Sequence, residues 1–292
     1  MVPREILRKV RQLEIRTKGI VSNLFGGEYH SAFKGRGMEF VEVRPYQFGD
    51  DIRTIDWNVS ARSGDETYVK VFQEEREQTL MLAVDISGSG LFGSRYMFKK
   101  DLAAEVCAVL AFSAIQNNDK VGLLLFSDRV ELFVPPKKGR RHVLRIIRDL
   151  YAFQPISNQT NIAIALEHLL HTLRRRSIVL ILSDFLNEGY DRPLRILGRR
   201  HDTVAIRISD KREEQLPALG LLQVTDTETG ETLVCDTKSK DFQKRLWTFV
   251  RNRDTAYAER FRKMQVDLIA LQTDESYIEP LSRYFRERHR RR

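Results

Sequence analysis

Leu80-Met81-Leu82-Ala83-Val84-Asp85-Ile86-Ser87-Gly88-Ser89-Gly90 decides how the rest of the chain is read. Five consecutive apolar residues are too few for a helix and suit a strand buried on both faces of a parallel sheet. The run stops at a carboxylate, and Asp85, Ser87 and Ser89 then alternate with Ile86 and Gly88. Three oxygen-bearing side chains can therefore leave one tight turn on the same side, at the carboxyl end of the strand, where open α/β sheets bind ligands. Taken alone, the same residues equally serve as turn and helix-capping residues, which Asp and Ser supply routinely.

Downstream the pattern alternates strand and helix. Lys99 to Asn117 places Leu102, Val106, Val109, Leu110 and Ile115 at helical spacing, and Val121 to Ser127 is a second buried strand. Val130 to Val134 follows too soon for a crossover helix and must be an antiparallel edge strand reached by a hairpin, closed by Pro135 and Pro136. Helices at Arg141 to Tyr151 and Ile162 to Leu173 precede the strand Ile178 to Leu182. Leu194 to Arg200, a strand Thr203 to Ile208, a hairpin around Thr229-Gly230, a long helix Asp241 to Met264, a strand Val266 to Leu271 and a last helix complete the chain. The expected class is α/β, a doubly wound, mainly parallel, Rossmann-type sheet with one antiparallel edge strand and helices on both faces.

Ahead of it lies a small N-terminal α+β segment. Residues 3–24 read as an amphipathic helix ended by Gly26 and Gly27, followed by short strands at Phe40 to Val43 and Thr67 to Phe72 around a turn. The expected domains are 1–78 and 79–292.

The 292 residues include 42% hydrophobic positions, enough for a full core. The longest apolar runs are strand-sized, far below the ~20 residues that cross a bilayer, and the charged N-terminus is unlike a signal peptide. Cys107 and Cys235 lack metal-type spacing and fit a reducing compartment, so a cytoplasmic protein is expected. A net charge of +9 points to acidic partners without choosing among them. The excess lies in Lys137 to Arg141, Arg174 to Arg176 and the tail from Arg286. Solvated faces and cations near helix C-termini account for such clusters, and no aromatic-interleaved platform argues for nucleic acid.

Two later positions join the first motif. Thr160 lies in the loop QPISNQTN, and Asp184 ends the run SIVLILSD as Asp85 ends its own. In a doubly wound sheet both strand ends and that loop point to one rim, so Asp85, Ser87, Ser89, Thr160 and Asp184 can converge. An oxygen-only donor set suits a hard cation, magnesium or manganese. With hydroxyls bound directly and an Asp acting through water, such an ion stays under-neutralised and keeps one position for another protein's carboxylate.

Asp85-x-Ser87-x-Ser89 with Thr160 and Asp184 resembles the metal-ion-dependent adhesion site (MIDAS) of von Willebrand factor A domains. GRGMEFVEVRPYQFGDDIRTIDWNVSAR from Gly35, then YVKVFQEE, resembles the bacterial domain-of-unknown-function family 58, whose members are commonly encoded beside MoxR-type AAA+ ATPases. The likeness runs from about Gly35 to the strand near Val266. It implies a von Willebrand factor A-like fold and a non-enzymatic, metal-binding adaptor that acts with such an ATPase on a client protein supplying an Asp or Glu carboxylate. Specificity is expected from the surface at Gly90 to Arg95, beside the site. Arg44, Tyr46, Asp50, Asp51, Arg53, Asp56 and Trp57 belong to the family stretch and are expected to form a buried salt-bridge and packing cluster. His168 and His171 share a helix face without a third ligand and read as helix-surface residues.

Two other classes share parts of this pattern. A carboxylate after the first strand also resembles haloacid-dehalogenase-type phosphotransferases, but those need a second Asp two residues on as general acid, where this chain has Ser87. No G-x-x-x-x-G-K-[ST] phosphate loop is present. A basic nucleic-acid-binding protein is the other alternative, one that a steep salt dependence would reveal.

Overall fold

In the computed structural model, which describes residues 4–21, 29, 32–33, 39–64, 66–73, 77–93 and 97–291, the chain forms two compact units, residues 1–33 with 79–292 and residues 34–78. The first helix, α1 (Arg4–Ile20), sits with the larger unit rather than with the strands that follow it. Its apolar face supplies Val10 and Leu13 to the main core, and its polar flank pairs Arg16 with Glu105 and Glu14 with Arg140. The expected domains, 1–78 and 79–292, grouped this helix with the strands that follow it. Gly26 and Gly27, expected to end that helix, lie outside the described residues.

The smaller unit is an antiparallel pair, β1 (Glu39–Pro45) and β2 (Tyr68–Gln73), joined through two capped turns. Asp51 accepts the Arg53 N–H at the turn Ile52–Thr54, and Asp56 accepts from Asn58 and Val59 at the one-turn helix Trp57–Ser60. Arg44 grips Asp50 with both terminal nitrogens at 2.8 and 2.7 Å, and Lys70 lies 3.4 Å from Asp56. The cluster expected to be buried is thus only partly so. Its ion pairs form near solvent, and Trp57 remains 68% exposed.

The larger unit follows the alternation read from the sequence: β3 (Thr79–Asp85), α2 (Lys99–Gln116), β4 (Lys120–Phe126), β5 (Val130–Lys137), α3 (Arg140–Ala152), α4 (Ile162–Thr172), β6 (Ile178–Ser183), α5 (Asp191–Arg200), β7 (Asp202–Ser209), the hairpin β8 (Leu221–Thr225) and β9 (Thr232–Asp236), α6 (Lys240–Met264), β10 (Asp267–Gln272) and α7 (Ile278–Arg291). The main sheet has the order β10-β7-β6-β3-β4-β5, every pair parallel except β4 with β5. This is the doubly wound, mainly parallel arrangement expected, with β5 as the antiparallel edge. Pro135 and Pro136 lie within β5 and do not end it: neighbouring strand residues face opposite edges, so one missing N–H falls on the free side of this outermost strand and the other at the register shift opposite Val121 to Leu123.

Alternate residues of β3 enter opposite layers, as a strand's period of two requires. Leu80, Leu82 and Val84 pack with α2, α3, α7 and α1, while Met81 and Ala83 pack with α4, α5 and α6. All five are essentially sealed from solvent, and each large one contributes roughly 1.5–3 kcal/mol by burial. Helix α2 is buried almost throughout because α1 covers the side that the sheet does not. That double cover explains an apolar texture with no polar face. The result is a rigid floor that fixes where the ends of β3 and β6 emerge.

Candidate metal centre

β3 and β6 are neighbours, with Val84 in register with Leu182, so Asp85 and Asp184 leave adjacent strand ends. The strand order reverses between them: from β3 the chain winds outward through β4 and β5, then returns to β6 on the other side. Doubly wound sheets open a crevice at such a reversal.

Three loops meet there. Asp85 Oδ1 accepts the Ser87 N–H at 3.0 Å, which folds the chain back so that the Ser87 and Ser89 Oγ atoms stand 3.2 Å apart. Ser89 lies in the 3-10 turn Gly88–Leu91. Gly88 N–H donates to the Asn158 carbonyl at 2.9 Å, tying this turn to the loop that carries Thr160. Asn187 donates to the Thr160 carbonyl at 2.9 Å, tying that loop in turn to the segment after Asp184. A side chain at Gly88 has no room: a Cβ would lie 2.6 Å from the Thr227 carbonyl oxygen and 3.2 Å from Asn158 Cβ.

Of the five residues expected to converge, Asp85, Ser89 and Asp184 line one small recess, and Ser87 touches Ser89. Thr160 stands on the adjoining loop, nearly buried, and its hydroxyl donates to Glu228 Oε1 at 2.7 Å. Asp184 accepts the Leu186 N–H through Oδ1 at 3.2 Å and the Lys99 ammonium through Oδ2 at 3.3 Å. Lys99 also reaches Glu213 at 2.5 Å. The Ser183 hydroxyl donates to Asp85 Oδ2 at 2.7 Å.

The charges do not balance. Asp85, Asp184, Glu213 and Glu228 surround this rim; Lys99 pairs with Asp184 and Glu213, and Lys100, which lines the same recess, is engaged by the Phe153 carbonyl and by none of the four. Burial first, and the Asp184 charge second, push the Asp85 carboxyl up to about 7, against the hydrogen bonds from Ser183 and Ser87. Burial likewise raises Glu228, opposed by the Thr160 hydroxyl, and raises Glu213, opposed by Lys99.

The donor set fits a small, hard divalent ion. Oxygens about 2.1 Å from an octahedral centre lie roughly 3.0 Å apart on a shared edge, close to the Ser87–Ser89 separation. Asp85 accepts through both oxygens, Oδ1 from the Ser87 N–H and Oδ2 from the Ser183 hydroxyl. Both Asp184 oxygens are likewise engaged, as suits a carboxylate acting through water. Among the described residues no three His, Cys, Asp or Glu are gathered as a metal-binding group, so a site here depends on its hydroxyls. His168 lies edge-on to Phe133 and His171 bonds the Glu167 carbonyl, in keeping with ordinary helix residues.

Sequence reasoning missed Ser183, Lys99, Glu213 and Glu228. One signal was available: a lysine at the first position of a helix opposes the dipole and calls for a reason, which here is Asp184. Of the specificity surface expected at Gly90 to Arg95, Ser94 and Arg95 lie outside the described residues. The arginines 174–176 line a separate cleft with Arg200, His171 and His201, at the opposite end of β6. No helix among the described residues is long and apolar enough to cross a membrane.

Comparison with known proteins agrees with this architecture. The uncharacterized proteins Rv1480 of Mycobacterium tuberculosis and Mb1516 of Mycobacterium bovis are each 30% identical over 287 residues, covering 96% of this chain and 89% of theirs. Among solved structures, the conserved hypothetical protein BatB from Bacteroides thetaiotaomicron superposes with a TM-score of 0.50 at 14% identity, over 73% of this chain and 99% of that one, a likeness of fold. The model of "Protein of unknown function DUF58" matches residues 42–256, and with the relatives' near full-length similarity this places the chain in the DUF58 family.

Proposed function

We propose that this chain is a non-enzymatic, divalent-metal-dependent interaction module of the cytoplasm that acts with a MoxR-type AAA+ ATPase. In this reading Asp85, Ser87, Ser89, Thr160 and Asp184 hold magnesium or manganese, and the client protein presents an Asp or Glu side chain at the same rim. When bound, the ion supplies one exchangeable position for an anionic oxygen. The observation that carries the reading is the pair of serine hydroxyls 3.2 Å apart, set beside two carboxylates where the strand order reverses. Ser183 and the Ser87 N–H orient Asp85, and Lys99 with the Leu186 N–H orients Asp184, so the donors are positioned before any ligand arrives. The resemblance to MoxR-associated proteins supports the ATPase. With serine two residues after Asp85, the rim offers no general acid of the dehalogenase type there.

The test is capture of the neighbouring ATPase by the purified chain, with and without EDTA, alongside calorimetric titration with MgCl2. Ser87→Ala with Ser89→Ala should keep the circular dichroism of the parent and lose both magnesium binding and chelator-sensitive capture. Capture that the double variant leaves intact would remove the metal from the mechanism.

A further inference from the structure

The hairpin β8–β9 has little of its own to hold it in place. Among the described residues it pairs with no other strand, and Leu221, Leu233 and Val234 on it are 79%, 70% and 63% exposed. A lone two-stranded hairpin is marginal in water. Its base is pinned where Thr237 bonds Gly220 through both backbone and hydroxyl. Its tip is rigidly built: the Asp226 carboxylate accepts the N–H groups of Glu228 and Thr229 at 2.8 and 3.3 Å, and the Gly230 N–H returns to the Asp226 carbonyl at 2.9 Å.

That tip lands on the candidate metal centre. The Thr227 carbonyl closes over Gly88 between the two serines, and Glu228 takes the Thr160 hydroxyl at 2.7 Å. The hydrogen bond holds a carboxylate oxygen directly against the hydroxyl expected to bind the ion. The turn thus delivers an acidic side chain of the chemistry expected from a client.

We propose that Glu228 is this chain's own carboxylate for the metal centre, holding the position that a client Asp or Glu takes, so that clients bind by displacing the hairpin tip. The inference rests on the metal reading above and adds a regulator to it. An internal ligand acts at an effective concentration in the millimolar range, so weakly presented carboxylates are turned away.

Manganese is the probe, with the full chain and three variants: Glu228→Ala, Glu228→Gln and, on the same hairpin, Glu231→Gln as control. Water-proton relaxivity counts the exchangeable waters on the bound ion. Glu228→Ala should gain one, a rise of about 1.5-fold if two waters become three on a six-coordinate ion. It should also bind acetate at least about tenfold more tightly than the parent, which must first release its internal ligand. In the parent, manganese should slow hydrogen exchange of the 226–231 amides, and in Glu228→Ala it should not. Glu228→Gln preserves the shape and the contact to Thr160 and should show the same direction, which covers a folding defect in the alanine variant. Manganese bound by parent and both Glu228 variants with equal relaxivity and equal acetate affinity overturns the internal ligand and leaves the metal centre standing. Failure of every form to bind manganese overturns both.

Discussion

Replacing Asp85 by Asn should make the metal-free protein more stable above neutral pH, although Asp85 stands at the heart of the proposed site. The native carboxyl titrates at about 7, raised from 3.8 by burial and by the Asp184 charge. Between those values the unfolded chain has released this proton while the native chain keeps it, so stability falls as pH rises. The contribution is fully present below pH 3.8 and is lost as pH passes through 7. Across pH 5 to 8 the parent should therefore lose about 2–3 kcal/mol relative to Asp85→Asn. At roughly 2–4 °C per kcal/mol, that is a difference of about 5–10 °C in Tm. The assay is thermal unfolding of both proteins in EDTA across this range, followed by the parent with MgCl2. Magnesium should remove most of the penalty at pH 8, and calorimetry at pH 6 in two buffers of different ionisation enthalpy should count close to one proton released per ion. Parallel Tm curves for parent and variant, or no proton released, would refute the claim that this carboxylate is held in an electrostatically crowded place awaiting a cation.

Lys99→Met removes the buried ammonium from between Asp184 and Glu213 and should cost about 3–5 kcal/mol in EDTA, with magnesium restoring more stability to the variant than to the parent; urea unfolding with and without the ion checks both. Gly88→Ala forces a methyl against the Thr227 carbonyl and Asn158, backbone on one side, and should cost about 1–3 kcal/mol while lifting the hairpin tip, seen as faster hydrogen exchange over 226–231.

The parts of this fold legible in the sequence are those where local pattern and tertiary role agree. Leu80–Val84 and Ile178–Leu182 are continuous apolar runs because β3 and β6 are covered on both faces, and each meets a carboxylate as it reaches the rim. The short gap between Phe126 and Val130 left only a hairpin, and β5 is indeed antiparallel. The sequence-based reading stopped short where the decisive contact is distant along the chain. Glu228 lies 68 residues from Thr160, and no periodicity links a hairpin turn to a loop before another helix. Ser183 read as strand because it is strand, yet its hydroxyl orients Asp85. In the small unit, aromatic and charged residues suggested a buried cluster, but Trp57 stands out in solvent and Arg44 and Asp50 pair near the surface.

The outer strand has one more consequence. Two of the eight residues of β5 are prolines and have no N–H to give, so a visiting chain cannot continue the sheet along that border in an unbroken ladder. The interruption at 135–136 is covalent and does not depend on ionic conditions.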